Sequence, residues 1–192
     1  MNNIVKAVVC LFFILGLGVK ASPATKQGVH FEDEIVIPGN YLNLHGIGTL
    51  TWGLLVKVYM VALYKPETVR IEQLLEDVPK RLEFYFLVDM KASDFQNSGF
   101  DLMVQNVGEK KAKSLDKELK AFNSFYRDVK AGQRYMFTYI PGRGLEMALD
   151  GEVLGQVKGE EFAAAYLSIW LGPKPVSANL QKGLFHKEVK IE

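Results

Sequence analysis

The sequence predicts an α+β fold: one large antiparallel sheet with a layer of helices mainly on one face. Three observations point there. Alternation with a period of two recurs in six or seven short segments. Asp150-Gly151, inside "LEMALDGEVLGQV", is a strong hairpin turn signal. Helical spacing is confined to a block in mid-chain and a block near the end, so the strands form one meander with helices inserted.

The elements follow in order. "MNNIVK" and the apolar "AVVCLFFILGLGV" (Ala7–Val19) have the layout of a secretory signal peptide, with small or short residues at Val19 and Ala21. Residues 1–21 are therefore expected to be a leader and 22–192 a single domain. The expected location is periplasmic or secreted, with no stable membrane anchor after cleavage. Cys10, the single cysteine, lies in that leader, so the mature chain relies on its core rather than on disulfides.

"VHFEDEIVIPG" (Val29–Gly39) reads as a strand stopped by Pro38-Gly39, and "YLNLHGIGTL" (Tyr41–Leu50) as a second. "LLVKVYMVALY" (Leu54–Tyr64) reads as a third, ended by Pro66 and apolar on both faces. "ETVRIEQLLEDV" is a short helix candidate. "RLEFYFLVDM" alternates clearly as a strand. From Ser93 to about Arg127 the spacing is helical, with Ser93 and Gln96 resembling a capping box and a charged outer face. "QRYMFTYI" and the hairpin around Asp150-Gly151 supply the last strands. "GEEFAAAYLSIWLG" is a compact apolar helix ending at Gly172-Pro173, and "VSANLQKGLF" a last short one.

Composition narrows the function. The 192 residues carry 23 Lys+Arg against 22 Asp+Glu, a formal net charge of +1, which argues against a nucleic-acid partner. Neither a GxSxG elbow nor a P-loop is present, and "PGRG" lies between strands, not at a helix N-terminus. The three histidines, His30, His45 and His186, lack ligand spacing, so neither a metal site nor a cofactor is expected.

One feature stands out. Lys57 and Tyr59 fall on one face of a strand that is expected to be covered on both. A lysine there has three readings: it snorkels to the edge, it pairs with a carboxylate, or it lines a cavity for an anionic group. Tyr59 beside it, among Leu55, Val61 and Leu63, makes a candidate anchor for the polar end of a greasy ligand. Its alternative is a core aromatic whose hydroxyl finds a backbone partner.

The segments "LNLHGIG", "KVYMVALY", "YIPGRG" and "GEEFAAAYLSIWLGPKPVSANLQKGLF", in that order, resemble the bacterial chalcone isomerase-like proteins from about Gly28 to Phe185. The resemblance implies an open-faced β-sandwich of the chalcone isomerase type, with a ligand cleft between sheet and helices. It also implies positions for the polar groups of that cleft. The family's arginine falls near Thr51, its strand threonine at Tyr59, its helix asparagine at Asn106 and its helix tyrosine at Gly99. Its last hydroxyl falls at Ile169, beside Ser168. Only Asn106 keeps the family residue, and the lost arginine argues against isomerase activity, because a fixed cation is what stabilises a developing enolate.

Three functions stay open. The first is an exported, non-catalytic protein binding a fatty acid or similar amphiphile, with Lys57, Tyr59 and Asn106 as ligand-binding residues. The second is an isomerase of the intramolecular lyase type acting on a chalcone-like phenolic or enone substrate, with Tyr59 as acid/base. The third is a structural protein whose cleft is filled by Trp52, Trp170 and phenylalanines.

Overall fold

The computed structural model describes residues 24–26, 28–53 and 55–186. The leader reading of residues 1–21 lies outside the described residues. Strands β1 (Ala24–Lys26) and β2 (Val29–Phe31) form a two-stranded ribbon. The main sheet has seven strands: β3 (Glu34–Ile37), β4 (Asn40–Trp52), β5 (Val56–Lys65), β6 (Lys80–Phe86), β7 (Arg134–Ile140), β8 (Gly144–Leu149) and β9 (Glu152–Val157). Every strand pairs antiparallel with its neighbour in sequence, so the sheet is an unbroken meander.

Two expectations about strands are corrected. Val29–Gly39 is not one strand. The chain breaks at Glu32-Asp33, where the Asp33 carbonyl accepts from the Leu44 amide at 2.8 Å. This break lets β2 leave the sheet and lay Val29 and Phe31 over the outer core of Ile37, Leu42, Ile47, Met60, Ala62 and Tyr64. Arg134 fixes the ribbon there: its guanidinium pairs with half-buried Glu83, donates to the His30 carbonyl at 2.6 Å, and lies 4.9 Å from the Phe31 and Tyr85 rings. The second correction concerns Leu54–Tyr64. Only from Tyr59 onward is β5 buried on both faces; Val56 and Lys57 are exposed.

The helices are α1 (Ala92–Val107), α2 (Glu109–Ser114), α3 (Asp116–Asn123), α4 (Glu160–Leu171) and α5 (Ala178–Phe185). They pack on the inner face of the sheet, over Val61, Leu63, Phe84, Phe86, Phe137 and Met147. The mid-chain block, read as helical from Ser93 to about Arg127, is made of three helices. Gly108, at φ +81°, leaves the right-handed helical region and ends α1. The N-terminus of α1 also differs: Lys91 caps it, and the Asp94 carboxylate accepts from the Lys91 amide at 2.9 Å, so the Ser93/Gln96 box does not form. The helix expected over Glu67–Val78 is a single 3-10 turn, Ile71–Gln73, confined between Pro66 and Pro79 with little apolar register to bury.

The "HGIG" segment has a packing reason. Gly46 and Gly48 present bare backbone on the inner face of β4, and α5 lies directly on it. A Cβ on Gly48 would stand 2.1 Å from the Leu180 carbonyl oxygen, and one on Gly46 would stand 2.5 Å from that of Leu184. Any side chain at either position would therefore push α5 off the sheet.

Candidate functional site

Sheet and helices do not close completely. A cavity of about 400 Å³ remains between them, well within the range of small-molecule sites. Its floor is the inner face of the sheet, where period-2 alternation sends Tyr59, Phe84, Phe86, Tyr135 and Phe137 the same way. One wall is α1, which contributes Phe95, Gly99 and Leu102 at helical spacing. The other wall is α4, which contributes Tyr166, Ile169 and Trp170. Leu50, Met90 and Val176 complete the apolar lining. Buried Tyr126 and the exposed α1 residues Asp94, Ser98 and Asp101 are the remaining lining groups.

The walls are locked by aromatic contacts. Phe95 stacks on Tyr126 with centroids 4.8 Å apart and planes 5° from parallel. Trp170 meets Phe84 edge-on at 5.0 Å. Such pairs each add about 0.5–1.5 kcal/mol beyond simple burial. A rigid cavity follows, because no single ring can collapse into it without breaking several of these contacts.

Polar atoms inside are few and specific. The Tyr59 hydroxyl accepts from the Trp170 indole N–H at 3.2 Å. Burial pushes the Tyr59 phenol up to about 12, partly offset by that hydrogen bond. The Tyr126 and Tyr166 hydroxyls lie 2.5 Å apart, one donating to the other, and burial raises both phenols well above their ordinary range. Tyr135 is different: its hydroxyl donates to the Arg127 carbonyl and accepts from the Arg127 amide, each at 2.8 Å, so both its roles are filled. All these phenols stay protonated at neutral pH. Among the described residues lining the cavity there is no lysine, arginine, histidine or cysteine.

Of the residues singled out in the sequence, the structure brings Tyr59, Gly99 and Ile169 to the cavity. It does not bring Lys57. The strand pairing of Leu50 with Tyr59 is followed by Thr51 with Lys57, which leaves Val58 as an extra residue. Paired residues share a face, and Leu50 and Thr51, being consecutive, face oppositely. The bulge therefore turns Lys57 to the outer face, where it is exposed. Asn106 does not line the cavity either. It ties α1 to the segment after α4, donating to the Leu102 and Lys174 carbonyls at 3.1 and 2.9 Å and accepting from the Lys174 amide at 2.9 Å. Ser168 is buried and donates back to the Ala165 carbonyl at 2.6 Å. Trp52 is 78% exposed and fills no cleft, whereas Trp170 is wall rather than plug.

Sequence reasoning missed Phe95, Tyr126, Tyr166 and the two aspartates. A signal was available: Tyr166 and Trp170, four apart, and Phe95 and Gly99, four apart, each put their pair on one helical face.

Residues 23–186 match the chalcone isomerase-like family. The chain belongs to that family. No curated protein sequence matches it. Among solved structures, a crystal structure of an Arabidopsis thaliana fatty-acid binding protein is similar in fold, with a TM-score of 0.68 and 17% identity over 85% of this chain and 96% of that one. The open-faced sandwich of sheet and helices is thus the family's fold.

Proposed function

We propose that this chain is a non-catalytic binding protein that encloses a small amphiphile in the cavity between sheet and helices. The observation that carries the reading is the cavity itself: about 400 Å³, walled almost wholly by aromatic and aliphatic groups and held open by interlocked rings. At a water's share of about 30 Å³ per heavy group, it holds roughly a dozen methylenes. At about 0.8 kcal/mol per buried methylene that is a gross gain of about 10 kcal/mol. Association removes at least about 4 kcal/mol of it, leaving at most about 6 kcal/mol, a Kd of roughly tens of micromolar at best.

The name of the Arabidopsis neighbour supports the ligand class, and the chemistry of the lining supports the absence of catalysis. General acid-base work at neutral pH needs a group titrating near 7. The phenol at Tyr59 sits at about 12 and the other buried phenols are raised as well. An isomerase acting on a phenolate would also need a cation at the reacting oxygen, and the described lining supplies none. Export completes the reading, with residues 1–21 removed and the domain acting in the periplasm or outside the cell.

Native mass spectrometry of the chain from Ser22, purified without detergent and then solvent-extracted, tests this. A co-purified amphiphile, or saturable binding of the neutral fluorophore N-phenyl-1-naphthylamine, is the expected result. An empty protein that refuses the fluorophore, or one that converts a chalcone above the buffer rate, overturns it.

A further inference from the structure

Among the described residues lining it, the cavity offers hydrogen-bond donors but no positive charge. Trp170 spends its N–H on the Tyr59 oxygen, so the Tyr59 proton has to find another acceptor. Tyr59 is only 6% exposed, and among the described residues none accepts that proton. The Tyr126–Tyr166 pair has the same property: one hydroxyl donates to the other, and the second proton is left over. A buried donor without an acceptor is unfavourable, and an arriving oxygen would relieve that.

Charge distinguishes which oxygen. A carboxylate placed deep in the cavity would lose its hydration with only neutral phenols in return, which disfavours it strongly. A carboxylate placed at the outer end, tail inward, would meet the carboxylates of Asp94 and Asp101. Both orientations penalise an anion. Neither penalises an uncharged head.

Resting on the binding reading above, we infer that the ligand is an uncharged lipophile bearing a hydrogen-bond acceptor, such as a ketone or ester, seated on the Tyr59 hydroxyl. This separates the chain from a carrier of ionised fatty acids. The same tail suits both, so the head decides.

Displacement of N-phenyl-1-naphthylamine from the purified, delipidated chain by 2-tridecanone, methyl dodecanoate and dodecanoate at pH 8 tests it. The ketone and the ester are expected to bind at least tenfold tighter than the carboxylate. Tyr59→Phe is expected to weaken the ketone about tenfold more than it weakens the fluorophore. The double variant Asp94→Asn, Asp101→Asn is expected to strengthen dodecanoate several-fold relative to the ketone. Dodecanoate binding as tightly as the ketone, or a Tyr59→Phe protein that holds ketone and fluorophore in the wild-type ratio, overturns the inference while leaving the binding reading intact. Failure of every compound including the fluorophore sinks the binding reading instead.

Discussion

Gly99 offers a perturbation in which binding and stability move in opposite directions. It lies inside α1, is buried, and borders the cavity. A Cβ there would meet Tyr166 at 3.8 Å and Leu119 at 3.9 Å, ordinary contacts that need no rearrangement. Gly99→Ala should therefore raise stability by about 0.5–1 kcal/mol, the usual cost of glycine in a helix interior. Its added methyl displaces about one ligand methylene, worth about 0.8 kcal/mol, or fourfold in affinity. Gly99→Leu adds four carbons, or about 120 Å³ at 30 Å³ each, to a cavity of about 400 Å³. Excluding four methylenes costs about 3 kcal/mol, roughly 100-fold in affinity. Fluorophore titration reads the affinity and urea melts read the stability. The two tryptophans help: in a Trp52→Phe background the buried Trp170 alone reports on the cavity. Wild-type affinity in Gly99→Leu would refute the cavity as the ligand site.

Two further predictions concern stability and the displaced anchors. Burial lowers the Lys80 ammonium from 10.5 to about 8, against the opposing pull of Asp77 and Glu76. Its folded value is depressed, so between pH 8 and 10.5 the unfolded chain binds more protons and stability rises with pH through that window. Lys80→Met removes a charge penalty of about 3 kcal/mol and loses a hydrogen bond to the Glu76 carbonyl worth about 1. A net gain of about 1–2 kcal/mol at pH 7, shrinking by pH 10, is expected in urea melts, and an equal gain at both pH values would contradict it. Asn106→Ala should cost about 1–2 kcal/mol by leaving the Lys174 amide and carbonyl without their partner. Asn106→Ala should not change fluorophore affinity more than twofold, nor Lys57→Ala dodecanoate affinity more than twofold; a tenfold loss of dodecanoate affinity in Lys57→Ala would restore that lysine as an anchor.

Much of the fold was legible because it rests on local rules. The Asp150-Gly151 turn forms as read, with both residues at positive φ, 48° and 88°, as a two-residue hairpin requires. Alternation from Tyr135 to Tyr139 and from Leu82 to Phe86 reports burial on the inner face faithfully. Where the reading failed, a non-local contact decided. Nothing between Val29 and Gly39 announces that β2 will leave the sheet; that depends on Arg134, about a hundred residues away, holding the His30 carbonyl. The helical character of the mid-chain block follows its spacing, and the division after α1 is local, set by the glycine at position 108 with its positive φ.

The site was legible only in part, for a related reason. Period-2 reasoning assumes unbroken register, and a strand face is known only up to the first bulge. Register counted from the buried end of β5 assigns Tyr59, Val61 and Leu63 to the cavity face correctly. Continued two residues further, the same count places Lys57 beside Tyr59, and the extra residue at Val58 makes that wrong. The consequence reaches beyond one residue. With Lys57 on the cavity face, the head-group site would be cationic and an ionised fatty acid its natural occupant. With Lys57 on the outer face, what remains around Tyr59 is an indole N–H, phenol hydroxyls and hydrocarbon. A single bulge thus decides whether the cavity face beside Tyr59 carries a positive charge.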